Sequence, residues 1–269
     1  MLLLSVCLFS ALSHAFAFSF APIITLGLGG VLFRPPGIKI TSSLGDSDVL
    51  MQAADFFTDA FWASKLASSQ KQMQPRQRTL FLNSQIAEFR RRYGSPARYG
   101  PDRKAELLLA KRRNGDIVGC CGIELDKIPS GPKSQTTARG STTTTGSSSS
   151  SSSTIAPLMS NLAVGKKYRR LGVARDMVDA AETLVRKTWG MDEVYLYVEQ
   201  RNVPAVRLYQ TLGYRTVWTD AAATTLVPAA AEDGRNGGGM AQVPTTLLCM
   251  RKSLTKRGGI FGRFFPTLE

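Results

Sequence analysis

The chain has 269 residues, a net charge of +14 and an ordinary hydrophobic share of 43%. This length suffices for one domain with a sizeable core and appended segments, and the charge favours an acidic partner: a nucleic acid, an anionic membrane or an acidic cofactor. The only histidine is His14, in a segment that we expect to be removed, and the four cysteines form no C-x-x-C pair. The mature chain is therefore predicted to use neither His-dependent nucleophilic catalysis nor a metal site.

Residues 1–36 have the composition of a targeting sequence. An apolar run from Leu2 to Leu12 has the length of a signal-peptide core, and no Asp or Glu occurs before Asp46. The junction HAFAF resembles the bipartite plastid presequences of algae, in which a signal peptide (here residues 1 to about 15) precedes a transit peptide that starts with phenylalanine. This resemblance implies import into the plastid stroma.

A membrane anchor is the alternative interpretation of the N-terminus. Residues 1–33 contain no Lys, Arg, Asp or Glu, and about 20 apolar residues span a bilayer. Gly, Ser and Pro interrupt the run and no basic residue precedes it, so we expect a presequence that is removed. Contact with a membrane is expected only if this segment is retained.

From residue 37 onward, hydrophobic periodicity and turn residues predict one mixed α/β domain, residues 37–252, with seven strands and four helices. Asp46 or Asp48 marks the start of the first helix and Asn202 that of the last. In chain order, the predicted elements are a strand at 37–42, helices at 46–62 and 78–93, two strands around the hairpin turn Asn114-Gly115, a strand at 155–164, a helix at 173–189, a strand at 194–198, a helix at 202–212 and strands at 214–219 and 245–251.

Two segments of low complexity interrupt this domain. Residues 127–154 are rich in Pro, Gly, Ser and Thr, and residues 221–242 contain the run DGRNGGG. Such segments bury too little apolar surface to offset the cost of ordering, so both are predicted to be disordered insertions. The basic tail, residues 253–269, is predicted to be a frayed, solvated end, with contact to a membrane surface or ribosomal RNA as the alternative.

The stretch YRRLGVARDM, residues 168–177, places cationic side chains beside a glycine where a helix begins. The first N–H groups of a helix have no intrahelical partner and carry about half a positive charge, so they attract anions. Gly172 allows close approach of the backbone to a ligand. These residues predict a site for a phosphate-bearing molecule, whereas Arg169 and Arg170 by themselves also fit a solvated charge run.

Two motifs together resemble those of the GNAT superfamily of N-acetyltransferases. The first is R-x-x-G-x-A, formed by Arg169, Gly172 and Ala174 between a strand and a long helix. The second is N-x-x-A-x-x-L-Y-x-x-x-G-Y, which runs from Asn202 to Tyr214. The resemblance implies the GNAT fold, a twisted mixed sheet of about seven strands flanked by about four helices. It also implies direct transfer of an acetyl group from acetyl-CoA to a primary amine, without a metal or a covalent intermediate.

The resemblance implies a role for each matched residue. Tyr209 would protonate the departing thiolate, because a free thiol has a pKa of about 8.5 and its thiolate can take a proton from a nearby phenol. A backbone N–H near Leu162 would stabilise the oxyanion, on a strand that diverges from the next one to admit the thioester. From the residues alone, Tyr209 also fits a core position and Asn202 a helix cap. The implied acetyl-CoA contacts are Leu162, Ala163, Val164, Arg169, Arg170, Leu171, Gly172, Val173, Ala174, Asn202 and Tyr209.

Neither the general base nor the acceptor follows from the motifs. Glu199 and Glu124 are the candidate bases, with a water chain as the alternative, and both also fit surface positions at strand ends. Relatives that acetylate the N-terminus of a ribosomal protein often have a glutamate where this chain has Tyr197, which argues against that specific activity.

The resemblance implies a protein or peptide amine, a lysine side chain or an N-terminus, as the acceptor. A small amine, such as a polyamine or an arylalkylamine, is the alternative within the same class. A non-catalytic CoA-binding or RNA-binding protein of the same fold is the alternative from another class. No DNA partner is expected, and the sequence does not indicate an oligomeric state.

Overall fold

The computed structural model describes residues 37–66, 73–94, 104–132, 153–229 and 240–255. Within them the chain forms one seven-stranded sheet and four α-helices. The strands are β1 (Lys39–Ser42), β2 (Ala105–Lys111), β3 (Ile117–Pro129), β4 (Ser153–Val164), β5 (Glu193–Glu199), β6 (Arg215–Pro228) and β7 (Met240–Ser253). The helices are α1 (Ser47–Phe61), α2 (Pro75–Tyr93), α3 (Val173–Lys187) and α4 (Val203–Thr211), with 3-10 turns at Trp62–Lys65 and Lys166–Tyr168.

The strands lie in the order β1-β2-β3-β4-β5-β7-β6, and every neighbouring pair is antiparallel except β4 and β5. Parallel neighbours need a long crossover, which α3 supplies between β4 and β5. Along the chain, one strand, two helices and three strands precede α3, β5, α4 and the last two strands. This order confirms the predicted mixed α/β class.

Helices cover both faces of the sheet. Neighbouring side chains in a strand point to opposite faces, and Cys120 and Cys121 on β3 accordingly belong to different cores. Cys120 lies in the core that contains Phe57 of α1 and Phe89 of α2, whereas Cys121 lies in the core that contains Met177 of α3. Among the described residues neither cysteine forms a disulfide, as their opposite directions predict.

Helix boundaries follow the capping residues. The Asp46 carboxylate accepts from the N–H groups of Asp48 and Val49 at 2.9 Å each, so Asp46 is the cap of α1. The second helix begins at Pro75, three residues before the predicted start at residue 78. Proline is favoured in a first turn because its missing N–H would have no partner there.

The insertions are shorter than the sequence indicated. β3 and β4 remain paired as far as Pro129 and Ser153, and β6 and β7 pair over nearly their full lengths. The prediction of disorder throughout 127–154 and 221–242 is therefore wrong at the ends of both segments. Their polar residues are ordered because ladder hydrogen bonds satisfy the backbone, which composition does not register. The middle of each segment lies outside the described residues.

In the part of the chain that the structure describes, no helix is both long and apolar enough to cross a membrane. The predicted presequence and the alternative anchor at residues 1–33 lie outside that part, as does the tail after Thr255. The presequence, the anchor and the solvated tail therefore stay predictions.

Candidate active site

A gap opens between β4 and β5. Over their described lengths, the two strands pair only at Leu158 with Tyr195 and at Met159 with Leu196. Beyond these pairs both strands continue to their ends without a shared ladder. Backbone groups that face the gap are therefore available to a ligand. The implied divergence of these two strands is confirmed.

A β-bulge in β4 lies beside this gap. The pairing of β4 with β3 shifts next to Gly122, so that Asn161 and Leu162 together lie opposite a single residue of β3. Asn161 has a left-handed φ of 54°, a conformation that asparagine adopts more readily than most residues. A bulge leaves one backbone N–H outside the ladder. The resemblance implies an oxyanion donor, the N–H near Leu162, at this point of the strand.

The turn that leads into α3 ends in an uncapped helix start. Arg170 and Gly172 have φ values of 66° and 84°, and α3 begins at Val173. Gly172 occupies the N-cap position and offers no side chain to the first-turn N–H groups. Its positive φ favours glycine, and a helix start of this kind attracts anions. The geometry fits the phosphate site that the sequence predicts.

Arg169 makes contacts that the sequence did not indicate. Its Nε donates to the carbonyl oxygen of Val164 at 3.0 Å, and its Nη2 donates to the carbonyl oxygen of Ala60 at 3.1 Å. The side chain is partly buried, and burial lowers the pKa of its guanidinium. Arg169 therefore ties the turn to the ends of β4 and α1, whereas Arg170 next to it is exposed.

Asn202 combines a helix cap with an unsatisfied donor. It is only 1% exposed, and its Oδ1 accepts from the N–H of Ala205 at 3.3 Å at the start of α4. Its Nδ2 has no hydrogen-bond partner among the described residues. A buried donor without a partner is costly, so this amide fits the predicted contact to a ligand as well as the predicted cap.

Tyr209 lies inside the protein on α4. Its ring packs edge-on against Tyr214, with 5.7 Å between the ring centroids. It belongs to the same buried core as Leu162 of β4 and Val198 of β5, one from each of the diverging strands. Tyr209 and the side chain of Leu162 thus lie on the same face of the sheet.

Both candidate bases are buried and paired with cations, which corrects the surface positions that strand ends suggest. Glu124 is 8% exposed and accepts from Arg92 of α2 in an ion pair. Glu199 is 2% exposed, and its Oε2 accepts from Arg201 Nε at 2.5 Å. Its Oε1 lies 3.9 Å from Lys65 Nζ and has no hydrogen-bond partner among the described residues.

Lys65, at the end of the 3-10 turn after α1, is a site residue that the sequence did not indicate. This lysine is 9% exposed, and its Nζ donates to Thr225 Oγ1 at 3.0 Å and to the carbonyl oxygen of Leu226 at 3.1 Å. Its Nζ also lies 5.0 Å from the ring centroid of Phe61. Lys65 thus joins Glu199 to β6, within a stretch predicted to be disordered. No local pattern marks it, because its β6 partners are 160 and 161 positions away in the chain.

A comparison with protein families agrees with this geometry. The model of the acetyltransferase (GNAT) family matches residues 76–214, from the first turn of α2 to the residue before β6. The chain belongs to the acetyltransferase (GNAT) family. Both motifs that carry the resemblance lie inside the matched residues of this GNAT chain.

Curated relatives match shorter stretches of this GNAT protein. An N-alpha-acetyltransferase of Sulfurisphaera tokodaii is 37% identical over 57 residues, which are 21% of this chain and 34% of the relative. GCN5-related N-acetyltransferase 4, chloroplastic, of Arabidopsis thaliana is 34% identical over 77 residues, which are 29% of this chain and 26% of the relative. The chain therefore spans 34% and 26% of the lengths of these two relatives. A solved GNAT acetyltransferase of Streptococcus pneumoniae aligns over 80% of this chain and 99% of its own, at 14% identity and a TM-score of 0.44.

Proposed function

We propose that the protein is an acetyl-CoA-dependent N-acetyltransferase that transfers the acetyl group directly to a primary amine. The observation that carries the proposal is the gap between β4 and β5, which opens beside the uncapped start of α3. An acyl-bearing arm in the gap and a diphosphate at the helix start would satisfy both sets of available backbone groups. Membership of the acetyltransferase family supports the same chemistry.

The residues present fit acetyl-CoA. The N–H groups from Arg170 to Ala174 would hold the diphosphate at the start of α3. The backbone from Leu162 to Val164 would pair with the amide-bearing arm as a neighbouring strand would. Asn202 would donate its Nδ2 protons to that arm, which supplies the acceptor that this buried amide lacks. Arg169 would act indirectly, by fixing the turn through its two carbonyl contacts.

In the proposed reaction, the acceptor nitrogen attacks the thioester carbonyl carbon, a C–N bond forms and the C–S bond breaks. The N–H at Leu162 would stabilise the carbonyl oxygen as it gains negative charge. Tyr209 would give its hydroxyl proton to the departing sulfur. Both residues belong to one core, which supports their action on the same thioester.

Glu199 is the better candidate for the group that removes the amine proton. Its Oε1 is buried without a hydrogen-bond partner among the described residues, so it has room for a proton from the acceptor or from a bridging water. The close partner of Glu124 is the buried Arg92, which protonation of Glu124 would leave uncompensated. The close partner of Glu199 is the half-exposed Arg201, and Lys65 also donates to Thr225 and Leu226 of β6. We therefore assign the base to Glu199.

Changing Glu199 to Gln is expected to lower kcat/KM at pH 7 by about a hundredfold, the usual contribution of a general base. The deficit should shrink as the pH rises, because a peptide α-amine with a pKa of about 8 is then already neutral. Initial rates between pH 6.5 and about 9.5 would measure both effects.

The matched control is Glu193→Gln, at the opposite end of β5. Glu193 accepts from Arg251 at 3.1 Å in an exposed ion pair, so this change should leave the pH profile as in the parent. An equal, pH-independent loss in both variants would show that Glu199 does not act as the base.

The proposed acceptor is a protein amine, with an N-terminal α-amine as the first candidate. An α-amine, with a pKa of about 8, is neutral more often at pH 7 than a lysine side chain at about 10.4. The relative from Sulfurisphaera tokodaii is named an N-alpha-acetyltransferase, which supports the same choice. The residue Tyr197, where some such relatives have glutamate, argues for a different N-terminus from that of the ribosomal protein.

One assay separates the acceptor classes. Residues 37–269 would be mixed with acetyl-CoA and with peptides that have a free N-terminus, N-blocked peptides that contain lysine, or a polyamine, and the released thiol would be measured. Thiol release with free N-termini supports the proposal. Release with small amines only would overturn the protein acceptor, and coenzyme A binding without release would favour a non-catalytic binding protein.

We further propose that the protein acts in the plastid stroma. The composition of residues 1–36 and the chloroplastic name of the Arabidopsis relative support this location. A fluorescent protein fused to residues 1–36 should enter plastids and lose the presequence. Retention of the uncut fusion in a membrane would support the anchor at residues 1–33 instead.

A further inference from the structure

A buried hydrogen-bond network connects the end of α2 to the bulge of β4. The Nδ2 of Asn161 donates to Tyr93 Oη at 2.8 Å, and Tyr93 Oη lies 3.1 Å from Ser160 Oγ. Tyr93 is 2% exposed, Ser160 5% and Asn161 1%. Because Tyr93 Oη accepts from Asn161, its own proton is available to Ser160. One hydroxyl therefore joins two successive residues at the bulge.

Gly122 of β3 makes room for this hydroxyl. A Cβ at position 122 would lie 2.0 Å from Tyr93 Oη and 2.5 Å from Tyr93 Cζ, so any side chain there would expel the phenol. Gly122 pairs with Ser160 and lies directly beside the shift in register. The glycine thus serves the close approach of Tyr93, and not a turn.

The conformation of the bulge requires a side-chain hydrogen bond of this kind. Asn161 is held at a φ of 54°, which is disfavoured for a residue with a Cβ, and the ladder with β5 has already ended at Met159. From the neighbouring strand β3, Cys120 Sγ donates to the carbonyl oxygen of Asn161 at 3.4 Å. Burial raises the pKa of Tyr93, so the phenol keeps the proton that it donates.

We propose that Tyr93 is a positioning residue for acetyl transfer, whose hydroxyl holds the β4 bulge so that the N–H at Leu162 faces the reacting carbonyl. This inference rests on the proposed function, because Leu162 matters only if a thioester lies in the gap. Tyr93 itself lies on the α1–α2 side of the sheet, in the core with Phe89, while Leu162 lies in the α3 core. Tyr93 acts through the backbone of β4, and not on the substrate.

Changing Tyr93 to Phe keeps the ring that packs against Phe89 at 5.7 Å between centroids, and removes only the hydroxyl. We expect kcat of the full chain to fall by about tenfold to a hundredfold, the effect of a misplaced oxyanion donor or a lost buried hydrogen bond. The KM for acetyl-CoA should change by less than about threefold, because the diphosphate is held at α3. In the same protein, hydrogen–deuterium exchange should increase across residues 160–163 and stay unchanged in β7.

The matched control is Tyr195→Phe on β5. Its hydroxyl donates to Glu193 at 3.1 Å, away from the bulge, so kcat and exchange at residues 160–163 should equal those of the parent. Ser160→Ala is a second variant, which removes one partner of Tyr93 and leaves the Tyr93 ring unchanged. It should lower kcat by less than Tyr93→Phe does and should also raise exchange at residues 160–163. It keeps the inference testable if Tyr93→Phe fails to fold.

Four outcomes decide the inference. A loss of kcat together with raised exchange at the bulge supports it. A lower kcat with unchanged exchange, or raised exchange with an unchanged kcat, overturns it. Parental values of both quantities also overturn it. If the parent protein turns over no amine, the proposed function fails, and raised exchange in Tyr93→Phe would still show that Tyr93 holds the bulge.

Discussion

Changing Tyr209 to Phe is expected to lower kcat by about a hundredfold to ten-thousandfold, the usual contribution of a general acid. Phenylalanine keeps the buried ring and its edge-on contact with Tyr214, so the fold and the binding of coenzyme A should be preserved. The change removes the proton that the departing sulfur would take. Initial rates of thiol release, with calorimetry for coenzyme A, measure the two quantities separately.

Tyr214→Phe is the matched control for this prediction. Tyr214 is buried in the same core and its ring contacts Tyr209. The Tyr214 ring also lies 5.6 Å from Lys252 Nζ, which pairs with Glu182 of α3. Because Tyr214 Oη has no hydrogen-bond partner among the described residues, removing this hydroxyl breaks no bond and should leave kcat within about threefold of the parent. Equal rates in Tyr209→Phe and the parent would remove Tyr209 from the mechanism and leave water as the proton source.

Changing Gly172 to Asp is expected to weaken coenzyme A binding by about a hundredfold without unfolding the protein. An aspartate at the N-cap would accept the same first-turn N–H groups that the diphosphate needs, and it would bring a like charge to the site. Each effect is worth about 1–2 kcal/mol, and about 1.4 kcal/mol is tenfold in affinity. A Cβ at this position meets no atom within 4 Å, so the strain comes from the φ of 84° alone, which aspartate tolerates better than most residues.

Gly172→Asn separates charge from capping. Asparagine caps a helix and tolerates positive φ as aspartate does, but it carries no charge, so its loss of affinity should be about tenfold. Gly213→Asp tests the general effect of backbone strain, because Gly213 has a φ of 91° beyond the end of α4. The affinity of this variant for coenzyme A should equal that of the parent. Parental affinity in Gly172→Asp would refute the phosphate site at α3, and with it the proposed function.

Local patterns predicted most of the elements correctly because each was marked within a few residues of chain. Asp46 and Asn202 cap their helices as predicted, and Asn114-Gly115 forms the hairpin turn between β2 and β3. The strand pattern was weakest in β6, where the run AAATT at residues 221–225 shows no alternation of apolar and polar residues and composition favoured disorder. There the pairing with β7 orders the chain, and a partner strand is not visible in the local sequence.

The site likewise contains residues that the local sequence predicted and residues that it did not. The turn with Gly172 was recognisable because a glycine where a helix starts indicates a backbone conformation that other residues rarely adopt. The contacts of Arg169 were not, since its acceptors are backbone carbonyls of Val164 and Ala60, which every residue has. Glu199 was expected at the surface, because its strand-end position does not reveal that Lys65, which donates to β6, lies against it.

By itself, the sequence determined the class of fold, the anion-attracting start of α3 and the identity of the residues beside it, because helix caps, turns and glycine conformations depend on neighbours in the chain. Only the tertiary structure decided how far β4 and β5 separate, where β4 bulges, and which buried groups have partners. Those features come from contacts between distant segments, such as Tyr93 with Asn161 across 68 positions. Their energies depend on distance and burial, which no local pattern encodes.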